Sequence, residues 1–194
     1  LVVRTPSHLA DPHRFGNVFY DGIAPFLTSP RAVKRLLNSL RVTYPPLEGE
    51  VDVADFVAIQ ALMVFSPDVH RLVRDEAPTF LEPRERKSLE AASRFQQRIE
   101  RTAGPELAMP ILLLLKRIFP HLQTYLGGTV YYNNSSAEWG NRAQVASPAH
   151  FPKYFRMALE EGRIRESEVS RFIEGLNDAT ATDLCLKSQL EATG

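Results

Sequence analysis

The sequence has 194 residues, of which 44% are hydrophobic and 24% are charged, and these fractions are typical of a globular protein rather than a disordered one. Lysines and arginines together number 23, as do aspartates and glutamates, so the formal net charge is zero. Because a dedicated nucleic-acid-binding domain usually carries a basic excess, the balance does not indicate a nucleic-acid partner. The single cysteine, Cys185, leaves no internal disulfide and no cysteine-rich zinc site, which favours a reducing, cytoplasmic location.

Neither a membrane span nor a signal peptide is expected from the sequence. The longest apolar run, residues 109–115, is much shorter than the roughly 20 residues that a membrane-spanning helix needs. The chain starts at Leu1 without a methionine, and no charged region precedes an apolar one, so we expect a piece of a longer protein. The β-branched start Leu1-Val2-Val3 predicts a short strand stub that belongs to an α/β core lying upstream.

Helix signals dominate the rest of the chain and predict a mostly α fold. Three Ser-Pro pairs, at residues 29–30, 66–67 and 147–148, each precede a segment of helical periodicity, because serine caps free N–H groups and proline fits the first helical position. Aspartates at 52 and 55 predict a further helix start. The sequence predicts helices at about 30–42, 52–65, 83–101, 105–119, 148–161 and 166–176, a short helix after Ser66-Pro67, and another helix towards the C-terminus.

Residues 120–146 are rich in Gly, Asn and Ser, and the sequence predicts a long irregular loop there. It contains Tyr131, Tyr132 and the sole tryptophan, Trp139. Aromatic side chains with Arg142 nearby could stack on bases, but the neutral charge favours a surface that binds a protein partner.

The predicted helix at Pro30 has an unusual charge placement. Arg31, Lys34 and Arg35 lie in its first two turns, where the helix dipole disfavours cations by about 0.3–1 kcal/mol each. One interpretation is an anion site, in which an arginine and the free N–H groups converge on one ligand. The other is a solvated basic face whose cations pair with carboxylates elsewhere.

This segment resembles a known family. Residues 30–38, Pro-Arg-Ala-Val-Lys-Arg-Leu-Leu-Asn, resemble the motif that opens the helical lid of KAP-type P-loop NTPases. Residues 49–56 and 65–69 are similar to the helix that follows in that family. Phe119-Pro120, Trp139 and residues 147–155 are similar to the C-terminal region of many bacterial members. The resemblance consists of short motifs and spans most of residues 1–176.

The resemblance implies the lid and C-terminal part of a bacterial ATPase related to STAND and AAA+ machines, some relatives of which act in phage exclusion. Residues 1–28 would be the end of the nucleotide-binding core and a connection, 29–80 the helical lid, and 81–194 a C-terminal helical bundle with the irregular loop at 120–146. Arg31 would be the sensor-2-like arginine that reaches the ATP γ-phosphate, and Arg35 is the weaker candidate for that role.

The chain departs from the family in the part that performs catalysis. It contains no Gly-x-x-x-x-Gly-Lys-Ser/Thr loop and no strand that ends in a magnesium-binding aspartate. ATP and Mg²⁺ would therefore bind in an upstream core of the parent protein, and this stretch alone would bind neither and catalyse nothing. Implied partners are that core and further subunits, identical or different. Family members often carry transmembrane helices in the ATPase domain, so the parent could be membrane-associated.

Other residue patterns point to weaker alternatives. The five histidines show no metal-binding spacing, and no metal site is predicted. Glu48, Glu50, Asp52 and Asp55 could bind a cation, although helix capping explains the two aspartates more simply. A second functional hypothesis remains, a non-catalytic helical scaffold that binds a protein partner through the aromatic residues of 120–146.

Overall fold

The structure, a computed structural model, describes residues 11–82, 89–126 and 136–156. All of these belong to one compact unit, residues 1–158. The strand stub predicted at Leu1-Val2-Val3 and the helices predicted after residue 161 lie outside the described residues, as do Tyr131, Tyr132 and Cys185.

The mostly α-helical fold predicted from the sequence is confirmed, and no strand occurs in the described ranges. The first helix continues through a π-helical turn, Phe19–Ile23, and a 3₁₀ turn, Ala24–Phe26; two further 3₁₀ helices are Pro45–Leu47 and Phe151–Phe155. The α-helices are α1 (Pro12–Val18), α2 (Pro30–Thr43), α3 (Val53–Phe65), α4 (Pro67–Asp75), α5 (Ala77–Leu81), α6 (Leu89–Ala103), α7 (Pro105–Ile118), α8 (Pro120–Tyr125) and α9 (Ser136–Asn141).

The capping residues account for several helix starts. The Ser29 hydroxyl accepts a hydrogen bond from the Ala32 N–H at 3.2 Å, and the Asp52 carboxylate accepts one from the Asp55 N–H at 3.0 Å. Both caps satisfy N–H groups that have no partner within the helix. Ser66 precedes α4 without a capping bond from its side chain. The prediction of α2, α3 and α7 from local signals is therefore confirmed to within about two residues.

The third Ser-Pro pair does not start an α-helix, and the prediction of one from residue 148 is wrong over residues 148–156. The Ser147 carbonyl instead accepts hydrogen bonds from the N–H groups of His150 and Phe151, and the chain forms turns and then a 3₁₀ helix. The Tyr154 side chain in that helix is fully buried and hydrogen-bonds to α3 and to Ala143. Long-range contacts therefore outweigh the local start signal.

Two segments in which the sequence predicted no helix contain helices. The predicted loop at 120–146 includes α8 and α9, and the connection predicted at 1–28 includes α1. Asp11 caps α1, because its carboxylate accepts hydrogen bonds from the N–H groups of His13 and Arg14 at 3.0 Å each. The pair Asp11-Pro12 has the same cap-then-proline form as Ser29-Pro30, so the signal was present in the sequence.

Gly22 allows the π-helical turn to pack against α7. A Cβ atom at Gly22 would lie 2.5 Å from Cδ1 and 2.9 Å from Cα of Leu114. No side chain fits there unless the backbone of one element moves, so glycine sets the distance between the two elements.

A chain of aromatic rings joins the parts that the sequence assigns to a lid and to a C-terminal domain. Phe80 of α5 lies 6.1 Å from Phe95 of α6 and 5.1 Å from Phe119, measured between ring centroids. Phe119 in turn lies 6.3 Å from Phe151. The boundary predicted between residues 80 and 81 therefore runs through a shared hydrophobic core in the described part of the chain.

Candidate functional site

The described residues show neither a membrane-spanning helix nor a metal-binding group. Among the described helices, none is long and apolar enough to cross a membrane. Within the same residues, no group of three or more His, Cys, Asp or Glu side chains is arranged to hold a metal ion.

Arg31, the predicted γ-phosphate ligand, is exposed in the first turn of α2. It forms no ion pair or hydrogen bond with any residue that the structure describes. The helix carries four cations and no acidic residue, and three of the cations, Arg31, Lys34 and Arg41, are exposed and unpaired within the described ranges. These three cations therefore form a solvated basic face in the described part of the chain, and the pairing with carboxylates expected for Lys34 is not found among the described residues.

Arg35, the second candidate, has a different environment. Its Nη2 donates a hydrogen bond to the Val64 carbonyl oxygen at 2.9 Å, and its guanidinium carbon lies 5.6 Å from the centroid of the Phe65 ring. A cation at the C-terminal end of α3 is favoured by the helix dipole and satisfies a carbonyl group that the helix leaves free. Arg35 thus fastens α2 to the end of α3.

A shallow groove runs along the exposed face of α2. Its apolar floor includes Val33, which is 37% exposed, and Leu37, which is 47% exposed. Lys34, Asn38 and Arg41 also line it. The groove is therefore an apolar stripe with cations beside it, a pattern that fits a surface covered by another molecule or domain.

The acidic residues near α3 do not form a cation site, because an arginine already occupies the position. Arg14 of α1 donates from Nη1 to Asp52 at 2.7 Å and from Nη2 to Asp55 at 2.5 Å. Asp55 is completely buried and Asp52 is 2% exposed. Asp52 caps α3 as predicted, but both aspartates also hold α1 against α3, which the capping interpretation did not include.

Asp52 and Asp55 also join the start of α3 to residues 143–154, which lie about a hundred residues later in the chain. Asp55 Oδ2 accepts a hydrogen bond from the Val145 N–H at 2.9 Å, and the Asp52 N–H donates to the Tyr154 hydroxyl at 2.9 Å. The Tyr154 hydroxyl donates in turn to the Ala143 carbonyl at 2.6 Å. We call Arg14, Asp52, Asp55 and Tyr154 the buried network. Its contacts give a structural role to residues from two of the motifs quoted above, 49–56 and 147–155.

Burial dominates the ionisation of the buried network. It raises the pKa of Asp55 to about 7, against the lowering effect of Arg14, and it raises the pKa of Asp52 in the same direction. Burial alone would lower the pKa of Arg14, but the carboxylates of Asp55 and Asp52 outweigh it, so that pKa lies above its ordinary value. One guanidinium thus faces two buried carboxylates, and these two carboxylates together can retain a proton near neutral pH.

A cavity of about 500 Å³ lies beside the buried network, and the sequence did not predict it. Trp139 belongs to its wall. The residue was expected in a partner-binding loop, but its side chain is only 5% exposed, and its ring meets that of His121 edge to face at 4.9 Å. The wall is formed by residues of α1, α7, α8 and α9 and by the adjoining turns: Asp11, His13, Arg14, Asn17, Val18, Lys116, Arg117, Pro120, His121, Gln123, Glu138, Trp139, Arg142 and Gln144.

The charged residues of the cavity wall differ in how they are paired. Arg117 hydrogen-bonds to Asp21 at 2.9 Å, and Arg142 donates to Asp11 at 3.3 Å and lies 3.6 Å from Glu138. Lys116 has no such partner among the described residues. No sequence signal identifies this set, because its members come from segments far apart in the chain.

Comparison with models of known families, with curated protein sequences and with solved structures finds no match to this chain.

Proposed function

We propose that this chain is the lid and C-terminal helical part of a KAP-type P-loop ATPase, cytoplasmic and active in bacterial anti-phage defence, in which Arg31 reports the presence of the ATP γ-phosphate. The proposal starts from the resemblance of residues 30–38 to the lid motif. ATP and Mg²⁺ bind in the upstream core of the parent protein, and α2 faces that core. Closure of the lid over ATP then changes how the C-terminal helices meet partner subunits.

The observation that carries the proposal is the state of Arg31. An arginine at a helix start is opposed by the helix dipole, and here no carboxylate of the described unit offsets that cost. A phosphate placed at the same helix start would be attracted by the guanidinium and by the free N–H groups together. An exposed and unpaired Arg31 is what a lid needs before the nucleotide is bound.

The groove on α2 supports the same orientation. Val33 and Leu37 leave an apolar stripe in solvent, and Lys34 and Arg41 lie beside it without partners in the described part of the chain. Docking against the upstream core would bury this stripe and bring Arg31 to the nucleotide.

Arg31 is favoured over Arg35 because Arg35 is already engaged. Its hydrogen bond to Val64 and its contact with Phe65 hold α2 on α3, so a move towards a phosphate would break both. Arg35 therefore stabilises the lid, and Arg31 contacts the nucleotide.

The test is ATP hydrolysis by the natural full-length polypeptide, with wild type beside Arg31→Ala. An arginine that stabilises γ-phosphate charge contributes a factor of 10³ or more in well-characterised cases, so we expect a loss of at least about a hundredfold. The matched control is Arg101→Ala on α6, because Arg101 is also exposed and unpaired in the described ranges but lies on another helix. The control should keep the wild-type rate.

Two results would reject the proposal. One is a parent protein that does not hydrolyse ATP, and the other is an Arg31→Ala variant that matches Arg101→Ala. Either result would favour the alternative function, a non-catalytic helical scaffold that binds a protein partner. The groove on α2 would then be the first surface to examine, because Trp139 is buried and Tyr131 and Tyr132 lie outside the described residues.

A further inference from the structure

The cavity beside the buried network is not used by the proposed ATPase lid. Its volume of about 500 Å³ lies within the range of about 300–1,000 Å³ that small-molecule sites occupy. Its wall brings together residues from α1, α7, α8 and α9, so the site exists only in the folded unit.

The charges on the wall favour an anion. Among the described lining residues, Arg14, Lys116, Arg117 and Arg142 are cationic, and Asp11 and Glu138 are acidic. The aspartates that pair with Arg14 and Arg117 do not line the cavity, so the cations stand between them and the space. Lys116 is the cation with no internal partner in the described ranges, and it can therefore pair with a ligand without breaking an existing contact.

The remaining wall favours a flat, largely apolar body. Val18 and Pro120 contribute aliphatic surface, and Trp139 with His121 contributes an edge-to-face pair of rings. Burial lowers the pKa of His121, which favours the uncharged form of its ring. A planar ring can pack against these groups through dispersion and quadrupole interactions.

Two buried donors on wall residues have no hydrogen-bond partner in the part of the chain that the structure describes. They are the indole Nε1 of Trp139 and the amide Nε2 of Gln144, on side chains that are 5% and 2% exposed. Buried N–H groups in folded proteins are nearly always paired, because an unpaired one loses its hydrogen bond to water without replacement. Both nitrogen atoms belong to cavity-lining residues but are themselves covered, so a ligand with acceptor oxygens reaches them only if the Trp139 or Gln144 side chain turns.

We propose that this cavity is a binding site for a small planar organic anion, an aromatic ring that bears a carboxylate or a phosphate. The oxyanion pairs with Lys116 and Arg142, and the ring packs between Trp139, Pro120 and Val18. A carboxylate and a phosphate both offer negatively charged oxygen atoms to these cations, and the experiment below distinguishes the two.

Trp139 provides the readout, because it is the only tryptophan of the chain and it lines the cavity. Benzoate and phenyl phosphate are titrated separately into this chain while the tryptophan fluorescence is recorded, with benzyl alcohol as the uncharged probe. We expect a saturable change with at least one of the anions, and the tighter of the two identifies the preferred oxyanion.

Variants test which residues recognise the charge. Lys116→Met removes the unpaired cation at nearly constant length and should weaken the anion by about tenfold or more, while benzyl alcohol binding stays unchanged. Arg142→Met should act in the same direction, and Lys116→Arg should restore binding. The matched control, Lys34→Met on α2, removes an equally unpaired cation outside the cavity and should bind like wild type.

The inference is overturned if neither anion gives a saturable change with the wild-type chain. It is also overturned if Lys116→Met keeps the wild-type thermal unfolding midpoint and weakens the anion no more than benzyl alcohol, because Lys116 would then not recognise the charge. If Lys34→Met weakens anion binding as much as Lys116→Met does, the anion is attracted to the cations of the protein in general and is not bound at a site in the cavity. None of these outcomes bears on ATP hydrolysis by the parent protein, so this inference and the proposed function can fail independently.

Discussion

In the sequence, two regions of this molecule are clusters of like charge at a helix start, and the fold gives them different surroundings. The start of α2 carries Arg31 and Lys34, and the start of α3 carries Asp52 and Asp55. In the structure Arg31 and Lys34 are exposed and unpaired among the described residues, whereas the two aspartates are buried and hydrogen-bonded to Arg14 and to backbone N–H groups. The difference shows that a charge cluster becomes structural or available to a ligand according to what packs on it, which local spacing does not reveal.

Each region therefore has a different expected response to substitution. Truncation of a buried charge leaves its partners desolvated and unpaired, which is costly, whereas truncation of an exposed charge only returns its site to water. The predictions below test this contrast, and they run from the largest expected effect to the smallest.

Asp55→Ala should destabilise the unit the most. It removes a fully buried carboxylate and leaves Arg14 and the Val145 N–H without that acceptor. We expect a loss of about 3–5 kcal/mol in the free energy of unfolding, measured by urea denaturation. Glu90→Ala is the control, because Glu90 pairs with Arg94 on the exposed face of α6, and it should change stability by less than about 1 kcal/mol. Equal effects would remove the distinction between the two kinds of region.

The pH dependence of stability should reveal the raised pKa of Asp55. An acid whose folded-state pKa of about 7 exceeds its unfolded value near 3.8 binds more protons in the folded state between those two values. Stability from this group is thus present at low pH and is lost as the pH rises from about 4 to about 7.

The comparison between wild type and Asp55→Asn isolates that group, because the other titrating residues are common to both. The asparagine cannot ionise, so the stability of wild type relative to the variant should fall by about 1 kcal/mol or more as the pH rises from about 4 to about 7. Thermal unfolding at a series of pH values measures it. A difference that stays constant over this range would show that the Asp55 carboxyl titrates at its ordinary pKa.

Tyr154→Phe should have an intermediate effect. It keeps the ring that packs 6.5 Å from Phe56 but removes the hydroxyl that accepts from Asp52 and donates to Ala143. The Asp52 N–H also donates to the Ala143 carbonyl at 3.2 Å, so these two groups keep each other as partners. We expect a loss of about 0.5–1.5 kcal/mol from the missing hydroxyl hydrogen bonds, seen as a lower urea midpoint with an unchanged slope. Tyr20→Phe is a matched control because Tyr20 is 75% exposed, and it should be neutral.

Arg31→Ala should leave stability within about 0.5 kcal/mol of wild type, the smallest effect of the series. The side chain has no described partner to lose, and its removal relieves an unfavourable charge at the helix start. Arg35→Ala should cost more, because it breaks the hydrogen bond to Val64 and the contact with Phe65. Thermal unfolding of both variants checks the order, and a reversed order would contradict the roles assigned to the two arginines.

Much of the helical framework could be predicted from sequence. The extents of α2, α3 and α7 followed from apolar periodicity and from caps such as Ser29 and Asp52. The helices α1, α8 and α9 were missed, although Asp11-Pro12 carried the same start signal. Short helices bury too few residues in sequence order to show a periodic stripe, and packing stabilises them.

The candidate sites were less accessible to sequence reasoning. Arg31 could be singled out because its position violates a local rule of helix electrostatics. The cavity could not, because Lys116, Trp139 and Asp11 meet only after α1, α7 and α9 have packed. Nothing in the sequence around Trp139 indicated that its ring would be buried.

The sequence by itself determined the helical class of this protein, the positions of its main helices and the charge pattern of α2, because those properties depend on residues within about four positions of one another. Only the tertiary structure decided which charges are buried. Arg14 meets Asp52 across 38 residues and the Asp52 N–H meets Tyr154 across 102. Burial and pairing are properties of such long-range contacts, which place one arginine, Arg14, in a structural network and leave another, Arg31, on an open basic surface.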